Sequence, residues 1–228
     1  MTNLDFSVFS WQLMKGFVSS GLIFSVQLTL IAMAGGILIG TLLALMRLSG
    51  SKLLEIPARI YVDGLRSIPL VMVILWVYLL IPLFLGRPIG KELSAMVTFT
   101  IFEAAYYSEI MRAGIQSISR GQVFAGQAMG LTLPQTYRYV ILPMAYRIIL
   151  PPLTSEAMNI IKNSSVAFAV SISELILFAM QAQEETSRGI EIYLGVTGLY
   201  IVSAFAVNRL MAFIETRVRV PGYVGGGK

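Results

Sequence analysis

Ser155, Glu156, Asn159, Lys162 and Ser165 fall inside Ile148–Phe178, a run interrupted by three isolated charges, Glu156, Lys162 and Glu174. On a helix, Asn159 and Lys162 are three residues apart and share a face, which Ser155 and Ser165 roughly continue. Glu156 and Lys162 are six apart, about 240° around the helix, and do not share one. A lysine, an amide and hydroxyls along one stripe suit a bound carboxylate. A charge at the centre of a membrane helix costs about 2.5–3.5 kcal/mol on insertion scales, so each needs a reason. The competing reason for Lys162 is an interhelical ion pair with Glu103 or Glu156. Gln27, inside an uncharged run, and Arg66-Ser67, at the start of another, are the remaining candidates for a polar site among apolar residues. Asp63 lies three residues before Arg66, and a simple pair between them is the plainer reading there.

The chain has no histidine and no cysteine, which removes the commonest general base, the thiolate nucleophile, disulfides and most metal ligands. Glu103 and Glu109, six apart, project from different faces and make no catalytic carboxylate pair. No GxxxxGK[ST] phosphate loop occurs, and the terminal Gly225-Gly226-Gly227-Lys228 lacks the flanking strand and helix of one. The sequence therefore predicts no catalytic residue, no metal site and no cofactor held by this chain.

Hydrophobic residues make up 56% of the chain and charged residues 13%, too apolar for an ordinary soluble domain. Lys15 and Arg47 bracket 31 residues without a formal charge; Ser67–Gly86 gives 20 more and Ile192–Asn208 another 17. With Leu93–Ile110 and Ile148–Phe178 these predict five spanning helices, at about 19–47, 66–86, 92–114, 148–179 and 190–213, in one domain covering 1–228. The first run lies too far in, with no cleavage pattern, for a signal peptide. Five spans put the termini on opposite sides. Twelve Lys and Arg then fall on one side and four on the other. That bias places the N-terminus outside, the C-terminus inside and Arg112–Arg147 in the cytoplasm. Contact with membrane lipid accounts for the net charge of +5, and no nucleic acid is needed. Gly36-x-x-x-Gly40 allows close helix approach.

The polar segment at about 115–143 has its own punctuation. Arg120-Gly121-Gln122 is read as breaking the third span, with Val123–Met129 forming two turns that end on Gly130, a left-handed cap. Thr132 and Gln135 have capping-box spacing, with Pro134 in the first turn of a helix that stops near Leu142-Pro143. A docking surface and an ordinary connection both fit this spacing.

Gly121-Gln122, Ala125, Gly130, Val140 and Leu142-Pro143 together resemble the coupling loop of binding-protein-dependent ABC importer permeases. AYYSEIMRAGIQSISRGQ resembles the third helix of their polar-amino-acid class. Arg66-Ser67-Ile68-Pro69-Leu70 is similar to the Arg-Gly-Thr-Pro-Leu element of that class. Asn159-x-x-Lys162-Asn163-Ser164-Ser165, with Glu174-Leu175 following, is similar to its fourth-helix signature. EETSRGIEIYL and the RVRVPG tail resemble members that carry glutamate and aspartate. The family's Glu-Ala-Ala core stands here as Phe124-Ala125-Gly126, which removes that Glu as an ion-pair partner.

The resemblance implies an all-α membrane protein of the type I ABC importer permease fold in the bacterial inner membrane. It implies a non-catalytic subunit that forms the pathway and docks a separate ATPase through Gly121, Gln122, Ala125, Gly130, Leu131, Pro134, Leu142 and Pro143. Expected partners are a second permease, homologous or identical, two cytoplasmic ATPase subunits holding ATP and Mg, and a periplasmic amino-acid-binding protein. Cargo is expected to be polar amino acids, with glutamate and aspartate implied by the resemblance alone. The rival is a stand-alone ion-coupled secondary transporter or channel using Glu103, Lys162 and Glu174 as a relay, although no inverted repeat is evident.

Overall fold

The computed structural model describes residues 4–218, and every described element is helical. Ser10 caps α1 (Trp11–Gly16), its hydroxyl accepting from the Leu13 N–H at 3.2 Å. A π-helical segment, Phe17–Leu22, carries α1 straight into α2 (Ile23–Leu48), so the first span starts well before residue 19. α3 (Lys52–Arg66) is amphipathic. It buries Ala58 and Val62 and exposes Leu53, Ile56 and Ile60.

The chain then bends by 109° into α4 (Leu70–Leu85). This corrects the expected span at 66–86. Pro69 caps α4 in extended conformation at ψ 137°. A proline also disfavours helical backbone at the preceding residue, Ile68, so the break falls there.

α5 (Lys91–Gln116) is followed by α6 (Arg120–Ala128), α7 (Leu133–Thr136) and α8 (Leu142–Asn163). α8 tightens into a 3-10 segment, Ser164–Val170, and Ser171 takes a left-handed φ of 55°. α9 (Leu175–Thr186) leaves at 56°, so the expected span at 148–179 is a bent pair. Glu174 fixes the restart: its carboxylate accepts from Leu177 N–H at 2.9 Å and from the Tyr200 hydroxyl at 3.0 Å. α10 (Gly189–Val218) closes the described chain. Most of the RVRVPG segment and the Gly-Gly-Gly-Lys terminus lie outside the described residues.

Trp11–Leu48 and Gly189–Phe213 are each long and apolar enough to cross a membrane, and each bent pair qualifies taken together. α5 has 26 residues, about 39 Å of helix, but it carries Lys91, Glu92, Glu103, Glu109 and Arg112 and is not apolar enough to qualify by itself. α2 and α5 form the most extensive helix contact. A Cβ on Gly40 would stand 2.8 Å from the Ala104 carbonyl oxygen, and one on Gly36 would stand 2.9 Å from the Tyr107 ring. Gly40→Leu therefore meets α5 backbone that cannot swing aside. Overpacking of this kind costs about 1–3 kcal/mol or more, and the expected result is a clear drop in melting temperature and yield in detergent. A wild-type melt would mean that the two helices separate without cost.

Candidate functional site

The segment between α5 and α8 is built from local caps. α5 ends at Gln116, where the Ser117 N–H donates to Ala113 O at 2.9 Å. The break thus lies at Ser117–Ser119, and Arg120-Gly121-Gln122, expected to make it, forms the first turn of α6 instead. Gly130, at φ 84°, ends α6: its N–H donates to Gln127 O at 2.9 Å and Leu131 N–H donates to Gly126 O at 3.2 Å. Those two bonds form a Schellman cap, which a residue with a Cβ adopts only under strain. Thr132 and Gln135 form a full capping box, the Thr132 N–H donating to Gln135 Oε1 at 2.8 Å.

Gly126 faces inward, where a Cβ would lie 2.6 Å from Thr136 Cγ2. This close approach requires glycine at 126, because Thr136 is fully buried beneath α6. The outward surface is mainly apolar, with Gln127 its one exposed polar side chain after the first turn. Phe124 is 65% and Met129 83% exposed, with Gly121, Ala125 and Ala128 exposed beside them. Gln122 and Leu131 are half-buried; Pro134, Leu142 and Pro143 are exposed.

The helix after Pro134 does not stop at Leu142-Pro143. It runs on through a π-helical segment, Tyr137–Ile141, into α8. Leu142 N–H donates to Tyr137 O, five residues back. That one-residue shift accommodates the donor that Pro143 lacks, which is why the proline is tolerated. The loop is consequently joined to the fourth span by one unbroken helix.

Inside the membrane the expected candidates do not converge on one site. Glu156 and Asn159 are joined, Asn159 Nδ2 donating to Glu156 Oε2 at 3.3 Å. Lys162 is exposed and, among the described residues, has no ion-pair partner, so its expected alternative pairing with Glu103 or Glu156 is not made. The hydroxyls of Ser155 and Ser165 are turned back onto their own helix, to Pro151 O and Lys162 O. Gln27 lies elsewhere, in a cavity of about 410 Å³ with Ser19, Lys91, Glu92, Ser171 and Ser173. Ser67 donates to Asp63 O at 2.7 Å.

Arg66 does not pair with Asp63. It stacks over Tyr106, 5.5 Å from the ring centre, and reaches Glu109 at 3.8 Å. Glu109 also holds Arg47 at 2.8 Å and Arg112 one turn on, so one carboxylate ties α2, α3 and α5. Sequence reasoning missed this hub. Only the three-residue spacing of Glu109 and Arg112 signalled it. Tyr61 adds a second α3–α5 tie, its hydroxyl donating to Ile101 O at 2.6 Å.

A family model described as "Binding-protein-dependent transport system inner membrane component" matches residues 36–220. The glutamate/aspartate import permease protein GltK of Escherichia coli O6:H1 is 39% identical over 208 residues, 88% of this chain and 93% of that protein. The glutamate/aspartate import permease protein GltJ of Escherichia coli K12 is 35% identical over 223 residues, 92% and 91% of the two chains. A crystal structure of an amino acid ABC transporter with histidines superposes with a TM-score of 0.85 at 30% identity, covering 94% of this chain and 99% of that one. Helical architecture, a stiff capped loop and matches along nearly the whole length agree: the chain belongs to the inner-membrane components of binding-protein-dependent transport systems, as a non-catalytic amino-acid permease subunit of an ABC importer.

Proposed function

We propose that this permease imports polar amino acids, glutamate and aspartate foremost, and that α6 is the element through which a cytoplasmic ATPase drives it. The exposed apolar side chains of α6, whose C-terminal end is fixed by the Gly130 cap and followed at once by the Thr132 capping box of α7, carry this reading. A large apolar surface on a membrane protein's cytoplasmic loop is paid for by a partner. Two ATPase subunits bind ATP and Mg and close around two such loops, one from this chain and one from a second permease, identical or homologous. Motion passes along the continuous helix from Leu133 through α8 into the bundle. A periplasmic amino-acid-binding protein delivers cargo at Arg87–Glu92 and Gln183–Glu191, with the N-terminus periplasmic and the C-terminus cytoplasmic, as the distribution of Lys and Arg favours.

Gln27, Arg66, Ser67, Glu156, Asn159, Lys162 and Ser165 are assigned to the pathway at different depths. Lys162, exposed and unpaired, suits a cargo carboxylate. Glu156, with Asn159 beside it, suits the cargo's ammonium. The relay of a secondary transporter has less support, since Glu174 is committed to Leu177 and Tyr200 and Lys162 meets neither acid.

The test is ATPase activity of the co-purified complex in liposomes, with binding protein and glutamate, aspartate, arginine or histidine. Stimulation by the acidic pair, abolished by Gly130→Asp, is expected. Stimulation by arginine or histidine instead removes the acidic assignment. Ion-driven uptake by the chain without an ATPase removes the importer reading.

A further inference from the structure

α3 is a helix with three sides. At about 100° per residue, Ala58, Val62 and Leu65 fall together on the side packed against the bundle. Leu53, Ile56 and Ile60 fall on a second side, each more than half exposed. Lys52, Glu55, Arg59, Asp63 and Arg66 fall on the third. The 109° bend into α4 lays α3 across the direction of that span. Two contacts with α5 fix how α3 is rolled. Tyr61, on the edge between the packed and apolar sides, donates to Ile101 O near the middle of α5. Arg66, on the edge between the packed and charged sides, reaches Glu109, about 12 Å nearer the C-terminal end of α5. The apolar side therefore points toward the centre of the bilayer, and the charged side toward the nearer surface.

The exposed apolar side continues that of α2, which is joined to α3 by residues 49–51 and exposes Leu38, Leu42 and Leu45 at one-turn spacing. On the charged side, Lys52 is exposed and, among the described residues, unpaired. Arg59 is exposed and pairs with Glu55 through one nitrogen, leaving donors free. We propose that α3 lies at the headgroup–acyl boundary of the inner leaflet and binds an anionic lipid surface there. Leu53, Ile56 and Ile60 enter the acyl chains, and Lys52 and Arg59 meet lipid phosphates. A helix of this kind sits about 5–10 Å into that boundary. The two cations on its outer edge favour phosphatidylglycerol over neutral lipid. A cytoplasmic protein has no access to a side turned toward the bilayer centre. Through Arg66 and Glu109 the lipid-seated helix is tied to α5 and α2. The inference rests on the proposed topology only for the choice of leaflet.

The test uses the complex with its ATPase in liposomes, with Trp11→Phe and Trp76→Phe removing the two native tryptophans. Ile56→Trp then places a reporter on the apolar side, flanked by Lys52 and Arg59, and Arg59→Trp places one on the charged side. Bromine near the headgroup end of the acyl chains is expected to quench Ile56→Trp severalfold more than Arg59→Trp, and more than bromine near the methyl end does. A minor share of brominated phosphatidylglycerol in neutral lipid is expected to quench Ile56→Trp more than the same share of brominated phosphatidylcholine. Lys52→Gln is expected to reduce that excess. Equal quenching of the two reporters, stronger quenching from the methyl end, or no preference for phosphatidylglycerol overturns the proposal. A second permease or an ATPase lying over this side would shield Ile56→Trp from both lipids, which overturns it too. Should Ile56→Trp fail to assemble, Ile60→Trp reads the same side. Bromine is present in both leaflets, so the depth of α3 is read independently of the topology and of the importer assignment.

Discussion

Phe124→Ala weakens association with the ATPase subunit by about 30-fold, while the permease keeps its melting temperature. The side chain is 65% exposed at the centre of the α6 stripe and is the largest apolar group there, so its removal disturbs nothing within the chain. Truncating an aromatic anchor at the centre of an interface typically costs about 2 kcal/mol or more, which is about 30-fold in affinity. Met129 is more exposed, at 83%, but sits at the helix end, and Met129→Ala is expected to cost less. Position 124 carries an uncharged aromatic side chain, so attachment there is apolar and its salt dependence shallow. The measurement is retention of the ATPase by the purified permease across a dilution series at low and high salt. Full retention by Phe124→Ala would place the docking surface elsewhere.

The frame of this loop was legible in the sequence. Thr132 and Gln135 satisfy each other within three residues, and Gly130 needs only its own backbone conformation. Such local chemistry survives in a sequence whatever surrounds it. Gly36 and Gly40 were readable for the same reason, although the helix they meet was not. What escaped the sequence is what depends on tertiary placement. Asp63 and Arg66 have the spacing of a pair, but α3 turns Arg66 onto Tyr106 and Glu109. Lys162 has two acids within plausible reach, but Glu156 is taken by Asn159 on its own helix and Lys162 makes no ion pair with either acid. Pro143 looks like a stop, and one widened turn before it lets the helix run on. A charge count places spans, but it does not reveal a bend such as that at Ser67–Pro69.

Glu109→Gln is expected to be the most destabilising neutral replacement of an acid in this chain. Glu109 is the shared acceptor for Arg47, Arg66 and Arg112, whose side chains are 9%, 38% and 26% exposed. Removing one partner of a buried pair costs about 3–5 kcal/mol because the other charge stays buried. The carboxylate here is 25% exposed and water screens it, so about 2 kcal/mol is the better figure. At the size of this chain that is a fall of about 5 °C in melting temperature. Most of the loss comes from Arg47, the least exposed of the three, which is left on α2 without a counter-charge. Arg66→Gln, which gives up the 3.8 Å contact and the stacking over Tyr106 but leaves Glu109 two partners, should cost about 1 kcal/mol. A thermal melt of the two variants in the same detergent separates these cases. Equal melts would mean that the arginines gain as much from lipid phosphates as from Glu109, and that α3 is held to the bundle by Ala58, Tyr61 and Val62 alone.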